Sequence, residues 1–105
     1  MNSSIYYLCC LDTINMFYDE VFQKIRVKVS SSFSNCISVE LTSYANYCME
    51  LLKQNGLSLI DQAREALAFM WEACPTLALS ALGYSNCSGE WRIEGSRFFL
   101  DIELA

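Results

Sequence analysis

The sequence predicts an α+β fold: three or four helices packed on a small antiparallel sheet that ends in a C-terminal β-hairpin. Three observations lead there. Residues 43–55 and 58–74 carry apolar side chains at three- and four-residue spacing, the period of a helix that buries one side. Residues 37–41 and 90–104 alternate apolar with polar, the period of a half-buried strand. Gly95-Ser96 sits inside the last alternating run, where a two-residue turn folds it back on itself.

The elements follow in chain order. Residues 12–24 read as a helix, with Asp12 as its cap and Ile14, Phe17, Val21 and Ile25 on one face, widened by Tyr18 and Phe22. The stretch before it, Ile5 to Leu11, fits either a short buried strand or an extra helical turn. Ile25, Val27 and Val29 then alternate with Arg26 and Lys28, and Ile37, Val39 and Leu41 alternate with Ser38 and Glu40. Two strands, 25–29 and 36–41, around the Ser-rich loop 30–35 are the expectation, since β-branched residues favour strands. The competing reading carries the first helix on to Val29.

Helix 43–55 places Tyr44, Tyr47, Cys48, Leu51 and Leu52 on one face. Thr42 or Ser43 caps its start, and Asn55-Gly56 supplies a left-handed stop. The next helix starts at Ser58, where Ser58 and Asp61 form a variant capping box. Ile60, Ala63, Leu67, Met70 and Cys74 form its expected core stripe, flanked by Phe69 and Trp71. The short joint makes the two helices an antiparallel pair. Pro75 lacks an N–H and interrupts the second, and a short helix from Thr76 to Leu82 follows.

A type II′ turn at Gly95-Ser96 fixes the register of the closing hairpin. Glu94 faces Arg97, Ile93 faces Phe98, Arg92 faces Phe99, Trp91 faces Leu100 and Glu90 faces Asp101. Trp91, Ile93, Phe98 and Leu100 then share one face, continued by Ile102 and Leu104, while the other face carries the charges and Phe99. The second strand outruns the first. Its free edge pairs with 25–29 or 36–41 inside the chain, or with a second copy or another protein by strand addition.

At 105 residues the chain is read as one domain, 1–105. Hydrophobic residues make up 53% and charged residues 18%, so some apolar surface is left over, which favours a partner or self-association. The net charge is −5 with no His, and Lys24, Arg26 and Lys28 are the one basic cluster. That is a poor supply for neutralising phosphates, so direct nucleic-acid binding is not expected. The apolar run Ala66 to Tyr84 is broken by Glu72 and Pro75 and does not read as a membrane span. With no secretory pattern at the start, a cytoplasmic location is expected, where Cys9, Cys10, Cys36, Cys48, Cys74 and Cys87 stay free thiols. In that compartment the glycosylation pattern at Asn2 and Asn86 carries no meaning.

The chemistry available is narrow. Without His, the usual Ser–His and Cys–His constellations are absent, and no CxxC or phosphate-binding glycine loop occurs. Asp61, Arg64 and Glu65 read as a surface ion-pair patch, and nothing basic flanks Cys9-Cys10 to activate a thiol. No catalytic residue, metal ligand or cofactor is called. The one oddity is Glu90 opposite Asp101, a like-charge pair unless Arg92 or a basic partner bridges it. The expected function is therefore a small acidic, non-enzymatic protein-interaction module. It would act as an inhibitor or adaptor that covers a basic surface of a nucleic-acid-handling protein, or as a homo-oligomer through the C-terminal strand. The candidate contact residues are Glu90, Arg92, Phe99, Asp101 and Glu103. The alternative is a small-molecule site lined by Tyr6, Tyr7, Phe17, Tyr18, Tyr44, Tyr47 and Trp71.

Overall fold

The computed structural model describes the backbone of residues 3–105 and the side chains of residues 5–58 and 63–105. Its elements are α1 (Ser3–Ser31), β1 (Cys36–Glu40), α2 (Thr42–Gln54), α3 (Leu59–Ala73), α4 (Pro75–Ala81), β2 (Ser88–Glu94) and β3 (Arg97–Glu103). The fold is α+β, with helices packed on a three-stranded antiparallel sheet of order β1-β3-β2. Among the described residues no helix is long and apolar enough to cross a membrane.

The first helix corrects two expectations. It runs unbroken through Ile5 to Leu11 and on past Val29, so Asp12 lies inside it and does not cap it, and 25–29 is not a strand. Val21 and Ile25 are fully buried one turn apart and Val29 is half-buried one turn further on, whereas Val27 is 54% exposed. Burial therefore follows the helical period and not the alternating one, and packing overrides the β-branched preference of these residues. At the C-terminal end, the Ser31 hydroxyl donates to the Val27 carbonyl at 2.8 Å.

On α2, Tyr44, Ala45, Cys48 and Leu52 are buried. Neither Thr42 nor Ser43 caps it. Leu41 occupies the cap position without a side-chain bond, and the Thr42 hydroxyl donates to Glu40 and accepts the Phe98 N–H, tying the helix start to the sheet. The stop falls at Gly56, which holds φ +80° while the Leu57 N–H reaches back to the Leu52 carbonyl at 2.9 Å.

The buried stripe of α3 is Ala66, Phe69, Met70 and Ala73, with Cys74 just beyond its end. Ala63 and Leu67, expected inside, are exposed, and the buried stripe is turned toward Phe69 and Ala73, which the expected stripe had left out or at its flank. The Ile60 and Asp61 side chains lie outside the described residues. Pro75 opens α4 at its first turn. The backbone at this joint is held from α2: the fully buried Tyr44 hydroxyl donates to the Met70 carbonyl at 2.5 Å and accepts the Cys74 N–H at 3.4 Å. The Tyr44 ring also lies edge-on to Phe17 of α1 and stacks on Trp91 of β2, at 6.0 and 6.3 Å between centroids. One side chain thus joins four elements.

The hairpin register is the one the turn predicts, from Glu94↔Arg97 to Glu90↔Asp101, with Gly95 at φ +63°. Strand β1 pairs on the other side of β3, with Ile37↔Ile102 and Val39↔Leu100 buried and Ser38↔Asp101 and Glu40↔Phe99 on the outer face. The last strand is consequently the centre of the sheet. The expected overhang is absent: Ile102 and Glu103 pair with Gly89 and Ser88 of β2 as well as with Ile37 and Cys36 of β1, so β3 has no free edge for a homodimer through the C-terminal strand; the free edges belong to β1 and β2. Gly89 on β2 meets the flat of Trp71 on α3: a Cβ there would sit 2.3 Å from the indole ring.

Candidate interaction surface

Strand alternation sets up the site. Inward residues of the sheet meet the helices, except Ile93 beside the turn, which is 60% exposed, and outward residues make an open polar face. All five predicted contact residues lie on this outer face. Glu90 pairs across from Asp101 and Arg92 from Phe99, while Glu103 stands beside Ser88 and Cys36. The pairing with β1 adds Ser38 and Glu40 to the face, and Thr42 at its end, while Arg97 belongs to it already through the hairpin register. Ser38, Glu40 and Thr42 were not legible as site residues, because the partner of β3 was open between two segments.

The charges form a connected network. Arg92 donates to Asp101 at 2.9 Å through Nε and to the Ser38 hydroxyl at 2.9 Å. Ser38 in turn donates to Asp101 at 2.7 Å, and Arg92 also pairs with Glu94. The like-charge pair is therefore relieved on one side only: Arg92 takes Asp101 and leaves Glu90. At the other end, Arg97 grips Glu40 in a two-pronged pair at 2.7 and 3.1 Å, and Thr42 adds a third bond to the same carboxylate at 2.8 Å. Between the two pairs, Phe99 lies under both guanidinium groups, 4.6 Å from Arg92 and 5.1 Å from Arg97.

Acidities follow from these bonds. The Arg97 hydrogen bond, then the Thr42 bond, pulls the Glu40 carboxyl down to about 2. Arg92 and then Ser38 hold Asp101 below its ordinary value. Both groups are ionised at neutral pH, so neither serves as a proton donor there. Glu90 and Glu103 have no ion-pair partner among the described residues. Together with Asp101, Ser38, Ser88 and Cys36 they border a shallow groove of about 520 Å³.

The cysteines sort by burial. Cys9, Cys48 and Cys74 are buried, Cys10 and Cys87 half-buried, and Cys36 exposed, all as free thiols. Burial pushes the Cys9, Cys10 and Cys48 thiols up and takes Cys74 to about 12, the reverse of what a nucleophilic thiolate needs. Among the described residues no group of three or more acids and cysteines is placed to hold a metal ion.

The aromatic residues proposed to line a small-molecule site do not converge on one. Tyr44 is buried in the core, Phe17 packs on Tyr44 and Tyr47, Tyr6 on Phe69, and Tyr18 on Phe22. Trp71 covers Gly89, and Tyr7 is 65% exposed. Tyr7 joins Leu8, Leu11 and Met16 as the exposed large apolar side chains of the first half of α1.

Comparison with known proteins leaves the chain without a likeness to argue from: no protein-family model, no curated protein and no solved structure matches it.

Proposed function

We propose that the chain is a non-enzymatic protein-interaction module, and that its outer sheet face binds a partner carrying a basic surface. The observation that supports this most is the charge arrangement of that face. It carries five acids, Glu40, Glu90, Glu94, Asp101 and Glu103, against Arg92 and Arg97. Both arginines are engaged by acids of the same face, so Glu90 and Glu103 stand unneutralised at the rim of an open groove. A lysine or arginine entering between them would meet two free carboxylates. An inhibitor or adaptor that covers the basic surface of a nucleic-acid-handling protein is the specific form of this reading. Complementary charge of this kind speeds association and selects the partner.

The test uses Glu90→Lys with Glu103→Lys, two exposed positions that no ion pair holds. Wild type and variant are titrated with a lysine-rich peptide and followed by amide NMR. Shifts at residues 88–90 and 101–103 that weaken with salt and disappear in the variant support the reading. Equal binding by both proteins, or no shifts on this face, overturns it. Self-association has a separate footing in the exposed Tyr7, Leu8 and Leu11 of α1. Native mass spectrometry of wild type and a Leu8→Ser, Leu11→Ser variant decides it: a dimer lost in the variant supports it, a wild-type monomer refutes it.

A further inference from the structure

The basic cluster Lys24, Arg26 and Lys28 is not used by the acidic face, and its placement is informative. Strand β1 is an edge strand, and it runs back along the C-terminal part of α1 after the short turn at 32–35. Between them lies a groove of about 610 Å³, bordered by Lys24, Val27 and Lys28 of α1, Ser38 to Glu40 of β1, and Arg97 and Phe99 of β3.

Three features of this groove point one way. The first is backbone. The Leu41 N–H donates to the Phe98 carbonyl and the Leu104 N–H to the Asn35 carbonyl, so odd-numbered residues of β1 face β3 and even-numbered ones face outward. At the edge, the Cys36 N–H is satisfied by the Ser34 hydroxyl and the Glu40 carbonyl by Lys24 at 3.3 Å. Both main-chain groups of Ser38, the Cys36 carbonyl and the Glu40 N–H have no partner at this edge among the described residues, and so are open to a further strand. The second is charge. Glu40 is already neutralised by Arg97, and Arg26 turns aside to Gln23, while Lys24 and Lys28 form no ion pair among the described residues. The third is apolar surface: Val27 stands 54% exposed between the two lysines.

We propose that this groove binds an extended acidic peptide, which adds to β1 as a fourth strand and places alternate carboxylates on Lys24 and Lys28. The spacing fits. Residues one helical turn apart have Cβ atoms about 5–6 Å apart, and alternate side chains on one side of a strand stand about 6.6 Å apart. An acidic–x–acidic segment therefore matches the lysine pair. Main-chain bonds to Ser38 supply affinity and the lysines supply the preference for acid, the division of labour general to strand addition. Lys24 keeps donors to spare after bonding the Glu40 carbonyl. The groove adjoins the acidic groove of the preceding proposal at Ser38 but holds its ligand by different charges, Lys24 and Lys28 instead of Glu90 and Glu103, so each proposal is tested on its own residues.

The probe is the blocked hexapeptide Thr-Glu-Val-Glu-Val-Thr, titrated to millimolar concentration and followed by amide NMR, beside its lysine analogue. The expected result is shifts concentrated at residues 23–28 and 38–40 with the acidic peptide alone. Lys24→Glu with Lys28→Glu weakens binding at least about tenfold, and binding falls with salt. Two N-methylated forms of the peptide test the strand geometry without touching the protein: methylating the amides of one alternating set abolishes binding, and methylating the other set leaves it. No shifts in the groove, equal binding of the lysine analogue, or indifference to both N-methylated forms overturns the proposal. So does a β1 edge whose amides are already protected by a second copy before peptide is added.

Discussion

Replacing Tyr44 by Phe removes one oxygen from the centre of the molecule, and its effect can be worked from the geometry. The hydroxyl is the donor to the Met70 carbonyl at 2.5 Å and the acceptor for the Cys74 N–H at 3.4 Å. Tyr44 is fully buried, so water has no path to take its place. The ring contacts with Phe17 and Trp91 remain in the variant. What is lost is a buried hydrogen bond that leaves polar groups short of a partner, about 1–3 kcal/mol. For a domain of this size that lowers Tm by about 10 °C. Tyr44→Leu also removes the aromatic pairs, each about 0.5–1.5 kcal/mol, so the order of stability is wild type, then Phe, then Leu. Thermal and urea unfolding of the three proteins is the assay. A Phe variant within about 2 °C of wild type would refute the idea that this hydroxyl holds the α3–α4 joint.

The other predictions concern the sheet and the thiols. Gly89→Ala drives a Cβ into the Trp71 ring and should destabilise by about 1–3 kcal/mol; in a Trp71→Leu background the same change costs less, and a double-mutant cycle in urea measures the coupling. Glu40 and Asp101 are held below their ordinary values, so the stability they contribute is present at neutral pH and lost on acidification; for Glu40 the loss runs from about 4.5 down toward about 2. Glu40→Gln lowers Tm at neutral pH and flattens its fall over that acid range; a parallel slope in both proteins would contradict the assignment. Iodoacetamide should label Cys36 first, with Cys48 and Cys74 reacting only on unfolding, as read by intact mass and peptide mapping. Early labelling of Cys48 would mean that the α2 core opens readily.

Local rules carried the C-terminal third furthest. A glycine turn, a strict alternation and sorted cross-strand pairs agree on one register in 88–103, and the structure has it. The same rules failed at Ile25, Val27 and Val29, where strand-like spacing coincides with a helix that buries every fourth residue. Both periods place Ile25 and Val29 inside, and Val27 alone separates them. A side chain's exposure is decided by tertiary packing, which a short window does not contain. On α3 the ambiguity has a different source: Phe69 and Leu67, both apolar, flank Ala66 and Met70 on opposite sides, and only tertiary packing decides that Phe69 is buried and Leu67 exposed. The contact residues on the hairpin were readable because the turn fixes them. Ser38 and Glu40 became neighbours of that set only through long-range pairing of β1 with β3, which no local pattern specifies.

That long-range pairing also gives the outer face its character. Exposed ion pairs add little to stability singly, and these are exposed. Their effect here is on mobility. Arg92 is fixed by Asp101, Ser38 and Glu94, Arg97 by Glu40, and both lie over the Phe99 ring. Long side chains held this way lose less freedom when a partner arrives, and that preorganisation favours binding without adding a contact. The charges left over sit at opposite ends: Glu90 and Glu103 border one groove, Lys24 and Lys28 the other. A molecule of net charge −5 thus presents a small cationic edge beside a larger anionic face. Arg97→Met should then disturb both, releasing Glu40 into the cationic groove and loosening Phe99 between the two. It should weaken an acidic peptide at β1 more than a basic one at Glu90, and the opposite order in paired NMR titrations would show that the two ends do not act separately.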